Sequence, residues 1–261
     1  MTGAPRLRGR ALSVGYGDRL VLDGLDVEIP TGELTVVVGP NGCGKSTLLR
    51  ALARMLPLRA GTVELDGRPI GDYPTRAVAR RLGLLPQTSA APDGIVVADL
   101  VARGRYPHQG VFRQWSEADA AAVQTAMSRC GVTELAERPV AELSGGQRQR
   151  VWIAMALAQQ TPILLLDEPT TYLDLAHQVE VLRLTRSLQR EGYTVLVVMH
   201  DLQLAFRYAT HLLVMAEGRV VAQGDPASIV TAELIERVYG LPCRVIADPE
   251  TGRPLVIPAA D

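Results

Sequence analysis

Lysine is nearly absent from this chain of 261 residues: of the 27 basic residues, 26 are arginine and only Lys45 is a lysine. The chain also lacks a dense tract of basic residues, and its formal net charge is −1 at pH 7. Both features argue against a nucleic acid or an anionic membrane held by charge alone, so no nucleic-acid partner is expected. A single lysine among arginines indicates a position whose chemistry needs an ammonium group.

Cysteines and long apolar runs are also scarce. The three cysteines, Cys43, Cys130 and Cys243, form no C-x-x-C cluster, so neither a disulfide framework nor a zinc site is expected. No apolar stretch reaches the length of about 18 residues that a membrane helix needs, and Met1–Arg10 has no apolar core typical of a signal peptide. We therefore expect a cytoplasmic protein, with 47% hydrophobic residues to supply its core.

Lys45 lies in the segment GPNGCGKST, which matches the phosphate-binding pattern G-x-x-x-x-G-K-[ST]. In this pattern, glycines let backbone N–H groups approach a polyphosphate, the lysine reaches the β- and γ-phosphates, and Ser46 would ligate Mg²⁺. The β-branched run Leu34–Val38 predicts a strand before the loop, and Thr47–Ala53 predicts a helix after it, which is the required context. The alternative is an idle glycine-rich turn. The predicted nucleotide-binding residues of this loop are Gly39, Pro40, Asn41, Gly42, Cys43, Gly44, Lys45, Ser46 and Thr47.

Cys43 carries a separate prediction. It lies inside the loop at the start of the following helix, and a helix N-terminus favours the thiolate form of cysteine. We expect alkylation of Cys43 to block ATP hydrolysis, and bound ATP to protect the thiol.

The order of the predicted elements indicates an α/β fold. Short strands within the first 33 residues, two of them separated by a turn at Asp23-Gly24, predict an antiparallel edge. Residues 88–160 are helical and rich in alanine, and Ser116–Asp119 forms a capping-box pattern that opens a helix to about Arg129. Strands and helices alternate again beyond Pro162.

These patterns predict a mainly parallel core sheet, an N-terminal antiparallel β subdomain and an inserted α-helical subdomain. The predicted domain covers residues 5–240, with the helical insertion at about 88–160, and residues 241–261 form a short C-terminal β appendage whose role the sequence does not assign. The predicted strands outside the N-terminal region include Leu82–Leu85, Ile163–Leu166, Thr194–Met199 and His211–Met215.

Polar residues follow three of these strands. Four aliphatic residues are followed directly by Asp167 and Glu168. Two carboxylates at the end of a buried strand are unfavourable in free energy, which suggests that the acids have a function. We expect Asp167 to join the metal shell that Ser46 begins, and Glu168 to orient or deprotonate the attacking water. The alternative is a strand cap before a proline turn.

The other two candidates at strand ends are a histidine and a glutamine. His200 follows the strand Thr194–Met199 and could bind a γ-phosphate oxygen or the attacking water, although a structural histidine is the alternative. Gln87 borders the helical insertion and could supply a neutral amide contact to Mg²⁺ or water. The predicted catalytic residues are therefore Glu168, His200 and Gln87, and the predicted metal ligands are Ser46, Gln87 and Asp167.

The pentapeptide LSGGQ at Leu143–Gln147 precedes a long helical pattern, and Ser144 is predicted to be its N-cap. With this motif, the chain from Leu12 to Ile229 resembles the ATP-binding subunits of ABC transporters, which implies ATP and Mg²⁺ as cofactors and ATP hydrolysis as the activity. The resemblance also implies a dimer, in which the LSGGQ motif of one subunit contacts the γ-phosphate of ATP held by the other. The motif residues concerned are Ser144, Gly145, Gly146 and Gln147.

The resemblance assigns two further residues. Tyr16, which lies between glycines in a polar turn, is expected to stack on adenine, and Asp174 belongs to the loop through which one subunit senses the other's site. Tyr172 stands where many family members carry a small residue, so the sequence departs from the family pattern beside Asp174.

Four segments, 101–108, 144–150, 170–178 and 208–209, resemble the importer subfamily for iron–siderophore complexes, haem and cobalamin, with the ferric-siderophore members closest. This implies a second ATPase subunit, expected to be identical, permease chains that receive it near residues 87–110, and indirectly a substrate-binding protein. The subunit would lie at the cytoplasmic face of the membrane. The alternatives are a haem, cobalamin or other ABC transporter subunit and a soluble ABC ATPase, although the latter class normally has coiled-coil arms or two cassettes.

Overall fold

Buried aliphatic runs form several strands of the computed structural model, which describes residues 6–87, 90–110, 115–171 and 173–260. Tyr172, singled out above, lies outside the described residues. The strands are β1 (Leu7–Tyr16), β2 (Arg19–Ile29), β3 (Leu34–Val38), β4 (Ala60–Leu65), β5 (Arg68–Pro69), β6 (Leu82–Leu85), β7 (Ile163–Asp167), β8 (Thr194–Val198), β9 (His211–Ala216), β10 (Arg219–Gly224), β11 (Cys243–Ala247) and β12 (Pro254–Pro258).

Several α-helices of the described residues begin at a polar N-cap whose side chain accepts a backbone N–H of the first turn. They are α1 (Lys45–Leu52), α2 (Thr75–Ala79), α3 (Val97–Ala102), α4 (Glu117–Arg129), α5 (Gly145–Ala158), α6 (Leu175–Arg190), α7 (Leu202–Tyr208), α8 (Pro226–Ile229) and α9 (Ala232–Tyr239). Among the described residues, none of the helices combines the length and the apolar composition needed to cross a membrane.

The chain divides into two compact units. The first, here called the terminal unit, comprises residues 1–72 and 189–261. Its β1 pairs in antiparallel fashion with β2 and β4, while β3 pairs in parallel with β8 and β9, and β10 extends β9 in antiparallel fashion. Strands β11 and β12 form a separate hairpin. Every residue of β3 and β8 is buried, as expected for central parallel strands.

The second compact unit, here called the central unit, comprises residues 73–188. It contains the parallel pair β6 and β7 and the packed helices α3, α4 and α5. A buried ion pair joins these helices: Arg105 Nε donates to Asp119 Oδ1 at 2.9 Å, and Arg105 Nη1 donates to the Ala158 carbonyl at 2.7 Å. The pair therefore links the start of α4 to the end of α5.

Several local predictions agree with the structure. Strand β3 occupies the predicted residues Leu34–Val38 and β6 the predicted residues Leu82–Leu85. Ser116 and Asp119 form the predicted capping box, and α4 ends at Arg129. Helix α1 begins at Lys45, two residues before the predicted start, because Gly44 in a left-handed conformation serves as its N-cap.

The predicted turn at Asp23-Gly24 is wrong. Strand β2 runs through both residues. In place of a turn, the pairing of β1 with β2 has shifts of register. Gly24 has φ +60°, and its N–H donates to Ser13 Oγ at 3.1 Å. The side chain of Asp26 accepts a hydrogen bond from the Ala11 N–H at 2.8 Å. Side chains thus replace ladder bonds at the bulge, so the strand continues where the sequence suggests a hairpin.

Candidate active site

The loop between β3 and α1 has glycine at positions where the backbone φ angle is positive. Gly39 has φ +153°, and a Cβ on it would lie 2.1 Å from the Met215 carbonyl oxygen. Gly44 has φ +105° and caps α1, whose first backbone bond runs from the Leu48 N–H to the Gly44 carbonyl at 2.8 Å. The motif glycines therefore allow a tight turn packed on β9, with the N-terminus of α1 at its end.

Lys45 is buried inside this loop. Its Nζ donates to the carbonyl oxygens of Gly39 at 2.8 Å and Pro40 at 3.0 Å. Asn41 and Gly42, at the tip of the loop, are exposed. An ammonium group fixed beside a helix N-terminus suits a polyphosphate, because positive charge and backbone N–H groups are concentrated in one loop.

Cys43 does not have the environment that the sequence suggested. The side chain is buried, and burial raises the pKa of its thiol, although the nearby Lys45 charge and backbone N–H groups lower it in part. Its Sγ lies so close to Gly39 that a Cβ there would be 2.8 Å away. The prediction of a thiolate-favouring site is therefore wrong, because desolvation outweighs the effect of the helix end.

The side chain of Glu168, which follows β7, accepts hydrogen bonds from Gln87 and Thr171 of the central unit. Gln87 Nε2 donates to Glu168 Oε2 at 2.6 Å, and Thr171 Oγ1 donates to the same oxygen at 3.1 Å. The backbone of Glu168 has φ +53°, a conformation that non-glycine residues adopt at a cost of about 1 kcal/mol or more. The structure thus brings together two predicted catalytic residues, and Thr171 is a partner that the sequence analysis missed.

The predicted metal ligands have the donor chemistry that Mg²⁺ prefers. Ser46 offers a hydroxyl, Asp167 a carboxylate and Gln87 an amide carbonyl, all of them hard oxygen donors. Asp167 is buried at the last residue of β7, whereas Gln87 is exposed just beyond β6. Gln87 donates to Glu168 through its amide nitrogen, so the amide oxygen of Gln87 is the atom that would bind Mg²⁺.

His200 is exposed after β8 in the terminal unit, and Asp201 caps α7 by accepting the Leu204 N–H at 2.9 Å. The C-terminal hairpin is attached to this helix. Gln203 Nε2 donates to the Val256 carbonyl at 2.6 Å, and Gln203 Oε1 accepts the Val256 N–H at 3.2 Å. The predicted appendage therefore braces the helix that directly follows His200.

The LSGGQ motif begins α5 as predicted, with Ser144 as its N-cap. Ser144 Oγ accepts the Gln147 N–H at 3.2 Å, and Gln147 Oε1 accepts the Ser144 N–H at 3.1 Å. This reciprocal capping box leaves Ser144 and Gly145 exposed at the N-terminus of the helix. An exposed helix N-terminus with an adjacent hydroxyl is suited to contact an anion.

Asp174 forms the N-cap of α6. Its Oδ1 accepts the His177 N–H at 2.9 Å and lies 2.7 Å from His177 Nδ1. These bonds lower the pKa of Asp174, the backbone N–H of His177 having the largest effect. The carboxylate is therefore ionised at neutral pH. His177 was not among the predicted site residues, although an acid followed three residues later by a polar side chain at a helix start is a recognisable capping signal.

Tyr16 lies at the end of β1, and 48% of it is exposed. Gly15 is required beside it, because a Cβ there would lie 2.2 Å from the Arg19 carbonyl oxygen. Gly17 follows with φ +52° in the turn toward β2. An aromatic ring held in solvent by a tight turn is available for stacking.

A surface groove of about 360 Å³ lies on the central unit. Tyr106 and Trp115, which are 57% and 49% exposed, line it together with Ile95, Asp99 and Arg103. Ile95, which belongs to the segment 87–110 where permease contact is expected, is half-buried in this lining. Exposed aromatic rings in a groove are typical of protein interaction sites.

Comparison with known proteins gives one consistent family. Residues 22–171 match the sequence model of the family described as "ABC transporter". The chain is 57% identical to the ferric enterobactin transport ATP-binding protein FepC of Escherichia coli, over 97% of this chain and 94% of that protein. It is 44% identical to the iron(3+)-hydroxamate import ATP-binding protein FhuC of Bacillus subtilis, over 94% and 92% of the two chains.

The name of a further relative refers to a different cargo. The hemin import ATP-binding protein HmuV of Rhodococcus jostii is 45% identical, over 100% of this chain and 88% of that protein. Among solved structures, an ABC transporter in an inward-facing conformation has a TM-score of 0.83 at 30% identity, covering 100% of this chain and 98% of that one. The ATP-binding cassette MJ0796 bound to ADP and Pi has a TM-score of 0.74 at 25% identity, covering 84% and 98%.

Proposed function

The chain belongs to the ABC transporter family of ATP-binding proteins, and from this premise we propose that it is the ATP-hydrolysing subunit of an importer for iron–siderophore complexes. The ATPase activity follows from the family. The cargo is the finer step, and the 57% identity to the ferric enterobactin protein over nearly the whole chain is the observation that supports it.

The phosphate loop supplies the nucleotide site of this proposal. Lys45, buried against the Gly39 and Pro40 carbonyls, would bind the β- and γ-phosphates of ATP, while the backbone N–H groups at the start of α1 would bind the remaining oxygens. Tyr16 would stack on the adenine. ATP supplies the phosphoanhydride bond whose hydrolysis provides the free energy for transport.

Mg²⁺ would be held by oxygen donors. Ser46, Asp167 and Gln87 are the ligands we assign, because hydroxyl, carboxylate and amide oxygens match the preference of this ion. Bound there, Mg²⁺ supplies positive charge that neutralises the phosphate oxygens.

Hydrolysis would depend on Glu168 as the residue that orients or deprotonates water. Gln87 and Thr171 both donate to its Oε2, and these bonds restrain the orientation of the carboxylate before a water molecule reaches it. His200, exposed beyond β8, would donate to a γ-phosphate oxygen or contact the attacking water.

Importer ATPase subunits of ABC transporters work as dimers with transmembrane permeases. We propose a homodimer here, in which Ser144, Gly145, Gly146 and Gln147 of one subunit face the γ-phosphate of ATP on the other, and Asp174 contacts the other subunit's site. The exposed N-terminus of α5 and the exposed Asp174 carboxylate support this arrangement. The subunit would thus act at the cytoplasmic face of the membrane.

The permease would dock in the groove that Tyr106 and Trp115 line. The groove lies in the segment where the family resemblance places permease contact, and its exposed aromatic rings could pack against a short permease helix. A substrate-binding protein would act indirectly, by delivering the iron complex to the permease.

Hemin import is the second candidate, because a hemin import relative is as similar as the hydroxamate one. Uptake of radiolabelled iron decides between the two cargo classes. Cells carrying the wild-type chain or Glu168→Gln at equal abundance would receive ferric catecholate, ferric hydroxamate or hemin. Loss of uptake for one siderophore complex in the variant supports the proposal, whereas a loss confined to hemin supports the second candidate. Unchanged uptake of all three complexes contradicts both.

A further inference from the structure

His177 contacts two segments of the central unit that are separate in sequence, the residue before α6 and the first turn of α5. Its imidazole Nδ1 lies 2.7 Å from Asp174 Oδ1, the oxygen that also accepts its backbone N–H. Because both contacts are to one oxygen, they fix the orientation of a carboxylate whose side chain is otherwise 67% exposed. The imidazole therefore restrains the Asp174 side chain at the start of α6.

The other contact of the same ring is with the LSGGQ motif. A Cβ built on Gly146 would lie 2.8 Å from Cδ2, 3.0 Å from Cγ and 3.2 Å from Nε2 of His177. The ring therefore packs directly on the Gly146 backbone in the first turn of α5, at a distance that only glycine permits. Neighbouring Gly145 has open space at the corresponding position, so steric contact with the ring distinguishes the two glycines.

We propose that His177 is a positioning residue that couples the Asp174 loop to the LSGGQ motif, so that both present a fixed surface to the second subunit. The inference rests on the proposed function, in which both elements face the second subunit's nucleotide site. The inference adds His177, which is outside the predicted site. It also explains why the second glycine of the motif has to be glycine, which contact with phosphate alone does not explain. The His177 side chain thus fixes the position of the Asp174 carboxylate relative to the Gly146 backbone.

The substitutions that separate the two contacts are His177→Asn and His177→Phe. Asparagine can place its amide nitrogen near the position of Nδ1 and keep the bond to Asp174, but it lacks most of the ring over Gly146. Phenylalanine keeps a ring over Gly146 but cannot donate to Asp174. His177→Ala removes both contacts, and Arg183→Ala, at an exposed position of the same helix, is the matched control.

The experiment measures three quantities for the purified full chain: kcat for ATP, the Kd of a fluorescent ATP analogue, and ATP-dependent dimerisation in a Glu168→Gln background. We expect His177→Ala to lower kcat by about tenfold and to weaken dimerisation similarly, as for a direct coupling between contacting residues. The Kd should stay within about twofold of the wild-type value, because the phosphate loop is untouched. Asparagine and phenylalanine should each restore part of the loss.

A double-mutant cycle tests the contact with Gly146. Gly146→Ala should reduce dimerisation because its Cβ meets the ring, and adding His177→Ala should recover part of that loss. The inference is overturned if His177→Ala keeps wild-type kcat and dimerisation, if its Kd rises as much as its kcat falls, or if the double variant is no better than Gly146→Ala. A wild-type chain that neither binds nor hydrolyses ATP would instead refute the proposed function.

Discussion

Gln87 and Glu168, 81 positions apart in sequence, are joined by a hydrogen bond of 2.6 Å from the amide nitrogen to Oε2. One residue follows β6 and the other follows β7, and these strands are parallel neighbours. The carboxyl ends of parallel neighbours lie at the same edge of a sheet, so pairing the strands brings the two side chains together. A change at the border of the helical insertion can therefore reach the proposed catalytic carboxylate through one bond.

Glu168→Gln should lower kcat for ATP by about 100-fold or more, because general-base catalysis contributes about 10²–10⁴-fold. The amide oxygen can still accept from Gln87 and Thr171, so the local structure should persist. ATP binding should remain, and the variant should accumulate as an ATP-bound dimer in size-exclusion chromatography. A variant that hydrolyses ATP at the wild-type rate would overturn the assignment of Glu168 as the base.

Gln87→Leu and Thr171→Val each remove one donor to Glu168 with little change of volume. We expect both to lower kcat, with the larger effect from Gln87→Leu, because its bond is the shorter one and Gln87 is also a proposed Mg²⁺ ligand. Thr171→Val changes no proposed ligand of ATP or Mg²⁺, so it should leave the Kd for ATP unchanged. Steady-state kinetics and a nucleotide-binding titration measure the two quantities. If both variants keep the wild-type kcat, orientation of Glu168 by these donors does not contribute to catalysis.

Lys45→Arg tests why the chain has a lysine here. The loop accepts an ammonium within 3.0 Å of two carbonyls in a buried position, and the larger planar guanidinium does not fit this space. Loss of a charged hydrogen bond of about 1.5–3 kcal/mol predicts about 10- to 100-fold weaker ATP binding. The reverse exchange Arg76→Lys, at an exposed helix position, should leave the Kd unchanged. Wild-type affinity in Lys45→Arg would refute the requirement for ammonium.

Cys43 should react slowly with iodoacetamide in the native protein. Only the thiolate reacts, and desolvation raises the pKa of both Cys43 and Cys243, so exposure should decide between them. Cys43 is buried and should react more slowly than half-exposed Cys243. Cys130 is buried, with a pKa raised to about 12, and should react most slowly. Mass spectrometry of timed samples gives the order, and unfolding in guanidinium should bring the three rates together. Faster labelling of Cys43 than of Cys243 in the native state would restore the thiolate prediction.

Sequence reasoning succeeded where the signal is local. The buried run Leu34–Val38 and the capping box at Ser116 occur in the structure as predicted, since burial and capping depend on neighbouring residues. It failed at Asp23-Gly24, because a glycine with positive φ serves a bulge as well as a turn. The thiol of Cys43 was misjudged for a related reason: the helix end is visible in the sequence, but the burial that outweighs it is not.

The sequence also did not reveal which distant segments contact each other. The bond from Gln87 to Glu168 and the packing of His177 on Gly146 both join segments that are far apart in the chain. Each partner is polar or small and occurs in a turn, where many such residues have no special role. Strand pairing and helix packing determine which of them meet, so these relationships required the fold.

The buried pair of Arg105 and Asp119 should contribute to stability in a pH-dependent way. Hydrogen bonds from Ser116 and then from Arg105 lower the pKa of Asp119 to about 2, whereas an unfolded aspartate has a pKa of about 3.9. Asp119→Asn leaves the Arg105 charge buried without its counter-ion, so the free energy of unfolding should fall by about 3 kcal/mol at pH 7.

Because the folded pKa is the lower one, the stabilisation from the Asp119 carboxylate is complete above about pH 4 and is lost as the pH falls toward about 2. Urea denaturation followed by circular dichroism should therefore show a difference between wild type and Asp119→Asn that shrinks over this range. Glu250→Gln, which alters the exposed pair with Arg207, is the control and should leave the stability close to that of the wild type at every pH, because exposed ion pairs contribute little. A difference that stays constant from pH 7 to pH 2 would show that the cost of Asp119→Asn comes from lost packing, with no contribution from the carboxylate charge.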